Sequence, residues 1–157
     1  MTTTTDALEV DRGDTSVTRL VTDTLPDADD LPDGQVRMRV DRLAITANTV
    51  TYAEMGDMLG YWDFYPTGDD TWGRVPAMGW ADVTASAHPD VEAGGRYYGW
   101  FPVVGTVDLS VTPTRHGLRD DGEHRHAHAP VYRTFEDSRS DPLAPTGFVD
   151  AVELGDL

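Results

Sequence analysis

Apolar and polar residues alternate most regularly over residues 35–43. Val36, Met38 and Val40 fall on one side of an extended strand, with charged residues between them on the other side. Because successive side chains of a strand point to opposite faces, this alternation predicts a strand with one buried face. Weaker patterns predict further strands at residues 15–23, 78–85, 96–104, 106–112 and 131–135. Short strands separated by turns predict a mainly-β fold, a small barrel or sandwich with short helices and long loops.

The pattern of polar and apolar positions also divides the chain into three parts. Residues 1–16 are rich in threonine and aspartate, and this composition predicts a flexible N-terminus. Residues 17–135 contain the predicted strands and are expected to form the barrel domain. Residues 136–157 contain prolines and no strong periodicity, so we expect an irregular C-terminal tail.

A short helix and an aromatic loop lie in the middle of the barrel domain. Tyr52, Met55 and Leu59 share helical spacing, which predicts a helix over residues 51–59. Residues 60–74, the aromatic loop, then contain five large rings: Tyr61, Trp62, Phe64, Tyr65 and Trp72. A loop with this much aromatic surface rarely stands free in water. The rings either line an apolar pocket, form a core of their own or contact another domain.

Charge and composition exclude several classes of function. The chain has 28 acidic residues against 12 basic ones, a net charge of -16, and every basic residue is an arginine. Such a surface repels phosphate backbones and anionic lipid headgroups, so we expect neither nucleic-acid nor membrane binding. The absence of cysteine excludes disulfides and cysteine-ligated zinc. With no signal-peptide pattern at the N-terminus, we expect a cytoplasmic location.

Three short motifs follow one another along the chain, and their order is a more specific signal than any one motif alone. After the first regular strand come Ala-Asn-x-Val-Thr-Tyr-x-x-x-Gly at 47–56, Pro-x-x-Gly-x-Ala-x-Val at 76–83 and Gly-x-Arg-x-Tyr-Gly at 94–99. This order resembles the N-terminal catalytic domain of the medium-chain dehydrogenase/reductase superfamily, which is a GroES-like β-barrel. Together with the Gly-Tyr-Trp-Asp-Phe segment at 60–64, it is more closely similar to a domain-of-unknown-function family within that superfamily, DUF2855.

Two departures from the superfamily pattern narrow the expected chemistry. Zinc-dependent members carry His and Glu after the glycine that corresponds to Gly79, whereas this chain has Trp80 and Ala81. The resemblance therefore implies the zinc-free, quinone-oxidoreductase-like branch, in which a hydride passes between NADP(H) and a carbonyl or activated alkene. Full-length relatives also continue into a nucleotide-binding domain, and no Gly-x-Gly-x-x-Gly turn between a strand and a helix is present here. We therefore expect the chain alone to be inactive or incomplete and to bind NADP(H) weakly.

The resemblance also implies roles for individual residues. Asn48 matches a cofactor-binding position, and Thr51 and Tyr52 match catalytic positions. A phenol such as that of Tyr52 can donate a proton to a reduced carbonyl. From the residues alone, a turn is the better interpretation of Asn48, and a place in the barrel core is the better one of Tyr52.

The aromatic loop and a histidine run carry the alternative functions. We assign a substrate pocket to Tyr61, Trp62, Phe64 and Trp72. If the loop is exposed, it predicts self-association, docking on a separately encoded nucleotide-binding chain or non-enzymatic binding of a small molecule or partner. Metal binding is a second alternative, through the alternating histidines His124, His126 and His128, although their polar surroundings favour a solvated loop.

Overall fold

The computed structural model describes residues 3–139 and residue 141, and in them it shows a mainly-β protein. The strands are β1 (Thr3–Asp11), β2 (Thr18–Leu25), β3 (Gln35–Ala44), β4 (Trp72–Gly73), β5 (Pro76–Ser86), β6 (Arg96–Pro102), β7 (Thr106–Thr114), β8 (Gly117–Asp120) and β9 (Thr134–Asp137). Two short helices, α1 (Ala47–Glu54) and α2 (Gly56–Leu59), lie between β3 and β4. Single 3₁₀ turns occur at Ala28–Asp30, Tyr61–Asp63, Glu123–Arg125 and Pro130–Tyr132.

Six strands close into a barrel in the order β3-β5-β6-β9-β8-β7. Every neighbouring pair is antiparallel, and β3 closes the ring by pairing with both β5 and β7. This architecture confirms the predicted mainly-β barrel. The alternation over residues 35–43 places Val36 and Met38 fully inside, as expected for the inward face. A barrel of this kind is compatible with the GroES-like fold that the motifs suggested.

Arg37 is the exception to that alternation, because it lies on the outward face of β3 and is nevertheless buried. Its guanidinium donates to both carboxylate oxygens of Asp108 on β7, at 2.7 and 2.8 Å, and to the carbonyl oxygen of Pro26 at 2.8 Å. Arg37 on β3 and Asp108 on β7 lie directly opposite each other. Such a bidentate pair satisfies most of the donors of a guanidinium, which is why the segment after β2 can cover it.

The N-terminal segment differs from the sequence expectation, since residues 3–11 form β1 instead of a flexible tail. β1 pairs along its length with β2 and, near its end, with β4, to give a second sheet in the order β2-β1-β4. Ala7 and Val10 are buried, and the Thr5 hydroxyl accepts a hydrogen bond from the backbone of Thr106 at 2.8 Å. A local, threonine-rich composition carries no information about such long-range contacts, which is why it suggested a frayed N-terminus.

The predicted C-terminal tail, residues 136–157, lies mostly outside the described residues. The last described element, β9, pairs with β6 and β8 as part of the barrel. The irregular C-terminal tail therefore stays a prediction. Among the helices of the described region, none has the length and apolar character needed to cross a membrane.

Candidate functional site

A small cleft opens between the first turns of α1 and strands β5 and β6. Its volume is about 100 Å³, and it is lined by Ala44, Thr46, Asn48, Thr49, Tyr52, Met78, Tyr98 and Trp100. None of these side chains carries a formal charge at neutral pH. The cleft is therefore a neutral site with an amide, hydroxyl groups and aromatic faces.

A capping box fixes the start of α1 and with it one wall of the cleft. The Thr46 hydroxyl accepts a hydrogen bond from the Asn48 backbone N–H at 3.2 Å. In return, the Thr46 N–H donates to the Thr49 hydroxyl at 3.1 Å. These bonds satisfy backbone groups that the first turn of a helix leaves free. Asn48 and Tyr52 are one turn apart on this helix, so they share the face that lines the cleft.

Tyr52 joins the cleft to the aromatic core beneath it. Its ring packs edge-on against Trp100 at 5.0 Å and against Tyr61 at 4.7 Å between centroids. Burial, together with the neighbouring Tyr132 phenol, raises the pKa of Tyr52. The phenol therefore keeps its proton throughout the neutral pH range, as a proton donor requires.

Thr51 is the predicted catalytic residue that the structure does not bring into this group. Its hydroxyl donates a hydrogen bond to the Ala47 carbonyl oxygen at 3.1 Å, along the helix itself. The residue is exposed and is not among the residues that line the cleft. The structure thus brings together Asn48 and Tyr52 and leaves Thr51 beside them on another face of α1.

The predicted substrate pocket in the aromatic loop is mostly interior. Tyr61, Trp62 and Phe64 are buried, as is Tyr65, which was not assigned to the pocket. Trp72 is half-buried, with the Arg19 guanidinium stacked 4.0 Å from its ring centroid. Tyr61, Phe64 and Tyr65 belong to the barrel core, and they form the floor of the cleft, since Tyr61 packs on Tyr52 and the Tyr65 hydroxyl donates to the Trp100 carbonyl oxygen. Trp62 belongs to a separate, smaller cluster. The buried rings of the loop are thus part of the hydrophobic cores of the protein.

Trp62 is a tightly enclosed ring of the aromatic loop. A Cβ atom added to Gly56 would lie 2.2 Å from the Trp62 indole, and one added to Gly73 would also lie 2.2 Å from it. The indole therefore occupies space that only two glycines leave open. Trp62 packs in a small core of its own with Val10 and Val75, next to the barrel core.

Sequence reasoning missed a buried ion pair below the aromatic floor. Arg125 is 0% exposed and Asp120 1% exposed, and the Nε of Arg125 lies 3.2 Å from a carboxylate oxygen of Asp120. The guanidinium also donates to the Tyr132 carbonyl oxygen at 2.5 Å and lies over the rings of Phe64 and Tyr65, at 4.5 and 5.0 Å from their centroids. Burial raises the pKa of Asp120, although the backbone N–H of Gly122 and the Arg125 charge oppose this shift.

The three histidines of the predicted metal site do not share the face of a strand. They lie in and after the 3₁₀ turn Glu123–Arg125. The His126 ring meets the Asp121 carbonyl oxygen at 3.1 Å, and the His128 ring packs on Phe64 at 4.4 Å. In residues 3–139 and 141, no three His, Cys, Asp or Glu side chains are grouped so that they could hold a metal ion.

Three further cleft residues were not singled out from the sequence. Met78, Tyr98 and Trp100 lie on paired strands, with Met78 directly opposite Trp100. Tyr98 and Trp100 alternate with the buried Tyr97 and Phe101 along β6. This alternation was visible in the predicted strand over residues 96–104 and separates the core-facing rings from the cleft-facing ones.

Comparison with known proteins identifies a protein family for this chain. The model of a protein family of unknown function, DUF2855, matches residues 43–151. The matched range starts at the end of β3 and includes α1, all the residues that line the cleft and the barrel strands that follow. No curated protein matches the chain. Because the family model matches more than half of the chain, the chain belongs to the DUF2855 family.

Proposed function

We propose that this chain is the barrel domain of a zinc-free reductase related to the quinone oxidoreductases of the medium-chain dehydrogenase/reductase superfamily. In this proposal the cleft receives the nicotinamide end of NADP(H) beside a carbonyl substrate. The observation that carries it is the placement of Asn48 and Tyr52 on one face of α1, in a neutral cleft with aromatic walls. The barrel fold and the order of the three sequence motifs support it.

The cleft residues fit one end of this cofactor better than the other. The Asn48 side chain has both a donor and an acceptor for a carboxamide, and Tyr98 and Trp100 offer flat apolar surfaces to a ring. No arginine is among the lining residues, so the phosphates of a dinucleotide would be neutralised by groups outside the cleft. When bound, NADP(H) supplies the hydride.

Tyr52 has the acid–base role in this proposal. Its phenol is protonated at neutral pH, and burial, which raises its pKa, opposes loss of that proton. A carbonyl oxygen seated in the cleft would accept a hydrogen bond from this phenol and then its proton as negative charge develops there. The T-shaped contacts with Trp100 and Tyr61 hold the ring in place for this step.

The side-chain amide of Asn48 provides a direct test of ligand binding. Asn48 and Gln35 are the only side-chain amides in the chain, so a ¹⁵N-labelled sample gives just two such pairs of NMR signals. Gln35 lies at the far end of β3, where its amide donates to the Ser110 hydroxyl at 3.3 Å, and is the internal control. On titration with nicotinamide and with NADPH, we expect the Asn48 signals to shift and the Gln35 signals to stay.

Two outcomes would contradict this assignment. Asn48 signals that stay fixed at millimolar nicotinamide would remove the cleft as the nicotinamide site. Equal shifts of both amides would indicate unspecific binding.

The catalytic role of Tyr52 is tested separately, in a preparation that reduces a quinone with NADPH. There Tyr52→Phe should lower kcat/KM by about 100-fold, as loss of a general acid does, while the nicotinamide shifts of Asn48 persist.

The proposal extends to the setting in which the barrel works. A separately encoded nucleotide-binding chain would bring the phosphate-binding groups that the cleft lining does not include. A cytoplasmic location fits an NADP(H)-dependent reductase and the acidic, cysteine-free composition. Mixing the purified chain with a candidate nucleotide-binding protein and measuring NADPH affinity tests the first point, since the pair should bind more tightly than either alone.

A further inference from the structure

The β2-β1-β4 sheet has a regular outer strand. β1 uses its other edge to bond to the barrel rim, where the Leu8 N–H donates to the Val103 carbonyl oxygen at 2.9 Å and the Gly105 N–H donates to the Asp6 carbonyl oxygen at 3.0 Å. β2 therefore lies one strand farther from the rim, and within the described part of the chain it ends the sheet. An eight-residue strand in this place offers its backbone to another strand.

The pairing of β1 and β2 fixes which backbone groups of β2 face outward. Asp11 and Val17 are opposite each other, and the Asp11 N–H donates to the Val17 carbonyl oxygen at 2.9 Å. In an antiparallel ladder, bonded pairs recur at every second residue, so the odd-numbered residues of β2 bond to β1. The N–H and C=O groups of residues 18, 20, 22 and 24 consequently point away from the sheet.

Two copies of β2 are complementary to each other when they pair antiparallel. With a twofold axis through Val21, an antiparallel second copy places Arg19 of each chain directly opposite Asp23 of the other. The outward groups of Leu20 then meet those of Thr22, and the outward groups of Thr18 meet those of Thr24. Opposite charges that face each other across strands stabilise a sheet, and this register contains two such pairs. Within each chain Arg19 already pairs with Glu9 and Asp23 with Arg74, so the contacts between copies would extend existing ion pairs.

Neighbouring registers lack this complementarity. Moving the axis to Leu20 or to Thr22 keeps the outward groups paired but places Arg19 opposite Val21 or Leu25. With the axis at Arg19, the two copies of Arg19 face each other, and with the axis at Asp23, the two copies of Asp23 do. Like charges in these positions are destabilising. Charge therefore selects the register centred on Val21.

Leu20 adds an apolar contact to the same register. Its side chain is 78% exposed, the highest value among the large apolar residues of the described region. Around the twofold axis at Val21, the two copies of Leu20 are diagonal neighbours on one face of the combined sheet, within reach of each other. We propose that the chain self-associates through β2, with two copies joining their outer sheets into one continuous antiparallel sheet.

The size and charge of this contact set its expected strength. A single strand pair buries less surface than the roughly 1,200 Å² at which stable interfaces begin, so the dimer is weak, with a dissociation constant on the order of 100 µM. Each copy carries a net charge of -16, and the two copies repel each other. At 1 M salt the screening length falls to about 3 Å, which weakens this repulsion. Dimerisation should therefore increase with salt concentration.

A single-cysteine series tests the register. The chain has no cysteine, so each variant carries one thiol. In the proposed dimer, Val21→Cys places the two thiols opposite each other in a non-hydrogen-bonded pair, where the Cα separation suits a disulfide. Under mild oxidation at 1 M salt, we expect Val21→Cys to form covalent dimers roughly tenfold faster than Val131→Cys, whose exposed position on the barrel gives the background rate. Equal rates would overturn the proposal, and a maximum at Leu20→Cys would overturn the register.

Sedimentation of variants tests the pairing without a covalent bond. Leu20→Pro removes an outward N–H and leaves the odd-numbered bonds to β1 in place, as an edge strand tolerates. We expect its dimer dissociation constant to rise by about tenfold or more, with an unchanged melting temperature for the monomer. Leu20→Thr keeps the N–H and should weaken the dimer less. A wild-type chain that stays monomeric near 1 mM in 1 M salt, or a Leu20→Pro variant that dimerises as well as wild type, would refute β2 pairing.

Discussion

The cleft and the floor beneath it contain the same kinds of side chain but differ in whether their polar groups are exposed or enclosed. In the cleft, Asn48 and Tyr52 reach a neutral space that is open to water. In the floor, the Tyr65 hydroxyl is fully enclosed and donates to the Trp100 carbonyl oxygen at 2.6 Å. Burial raises the pKa of both phenols. Only the cleft phenol is left available to a ligand.

The same difference extends to charge. The cleft lining has no charged residue, whereas the floor rests on the guanidinium of Arg125. A buried charge is stable only with a close partner, and here Asp120, the Tyr132 carbonyl oxygen and two aromatic faces supply it. Polar groups in the floor therefore stabilise the fold, whereas the Asn48 amide and the Tyr52 phenol face a space that a ligand can enter. Substitutions in the two regions should separate stability from ligand binding.

Breaking the ion pair of the floor should have the largest effect. Arg125→Ala leaves the Asp120 carboxylate buried without its partner and opens a space under Phe64. We expect the free energy of unfolding to fall by about 3–5 kcal/mol, measured by urea denaturation. Arg119→Ala is the matched control, since Arg119 pairs with Asp121 at 2.8 Å on the surface and its loss should change the free energy of unfolding far less.

A double variant sharpens this prediction. Replacing Arg125 with Met and Asp120 with Leu together removes both charges and keeps similar volume. Such replacements are often neutral, so we expect the double variant to recover most of the stability lost in Arg125→Ala. A double variant as unstable as the single one would show that the ring and carbonyl contacts of Arg125, and not its charge pairing, dominate.

This ion pair also marks the limit of prediction from sequence. Alternation found β3, and the strand patterns found most of the barrel, because both depend on local periodicity. Arg125 lies in a polar stretch that reads as solvated, and only its three-dimensional neighbours make it a core residue. The same reason explains β1, whose threonines are ordered by partners on β2 and at the barrel rim.

The cleft was predictable only in part. The family resemblance singled out Asn48 and Tyr52, but the helix predicted over residues 51–59 left Asn48 out. In the structure α1 begins at Ala47, and this earlier start places the two residues one turn apart on one face. The matching wall on β5 and β6 depends on strand register, which a single sequence does not specify. The aromatic loop was assigned to a pocket because its rings suit both pockets and cores, and composition does not distinguish these two environments.

Filling the space around Trp62 should have the next largest effect. Gly73→Ala puts a Cβ atom 2.2 Å from the indole, and the ring cannot move away because Gly56 bounds its other side equally closely. We expect a loss of about 1–3 kcal/mol, seen as a lower melting temperature. Gly13→Ala is the control, since its Cβ would meet only the end of the Asp11 side chain at 3.3 Å. Equal effects at both positions would argue against tight packing at Trp62.

Removing the floor phenol should have a smaller effect. Tyr65→Phe keeps the ring under the cleft and removes the hydrogen bond to the Trp100 carbonyl oxygen. A buried hydrogen bond lost in this way costs about 1–2 kcal/mol, so we expect a clear shift in the urea midpoint. The nicotinamide response of Asn48 should be retained, because Tyr65 is not among the residues that line the cleft. A loss of that response would mean that floor and cleft are not separable.

Removing the cleft phenol should have the smallest effect on stability. Tyr52→Phe keeps the ring contacts with Trp100 and Tyr61, and the hydroxyl it removes lies where water can take its place. The free energy of unfolding should change by no more than about 0.5 kcal/mol in either direction. The same change removes the only proton that Tyr52 can donate, so reduction of a carbonyl should fall steeply in a variant that is as stable as wild type. Tyr65→Phe gives the opposite pattern, with stability lost and chemistry retained. If Tyr52→Phe unfolds as easily as Tyr65→Phe, Tyr52 belongs to the floor and is not available for proton transfer.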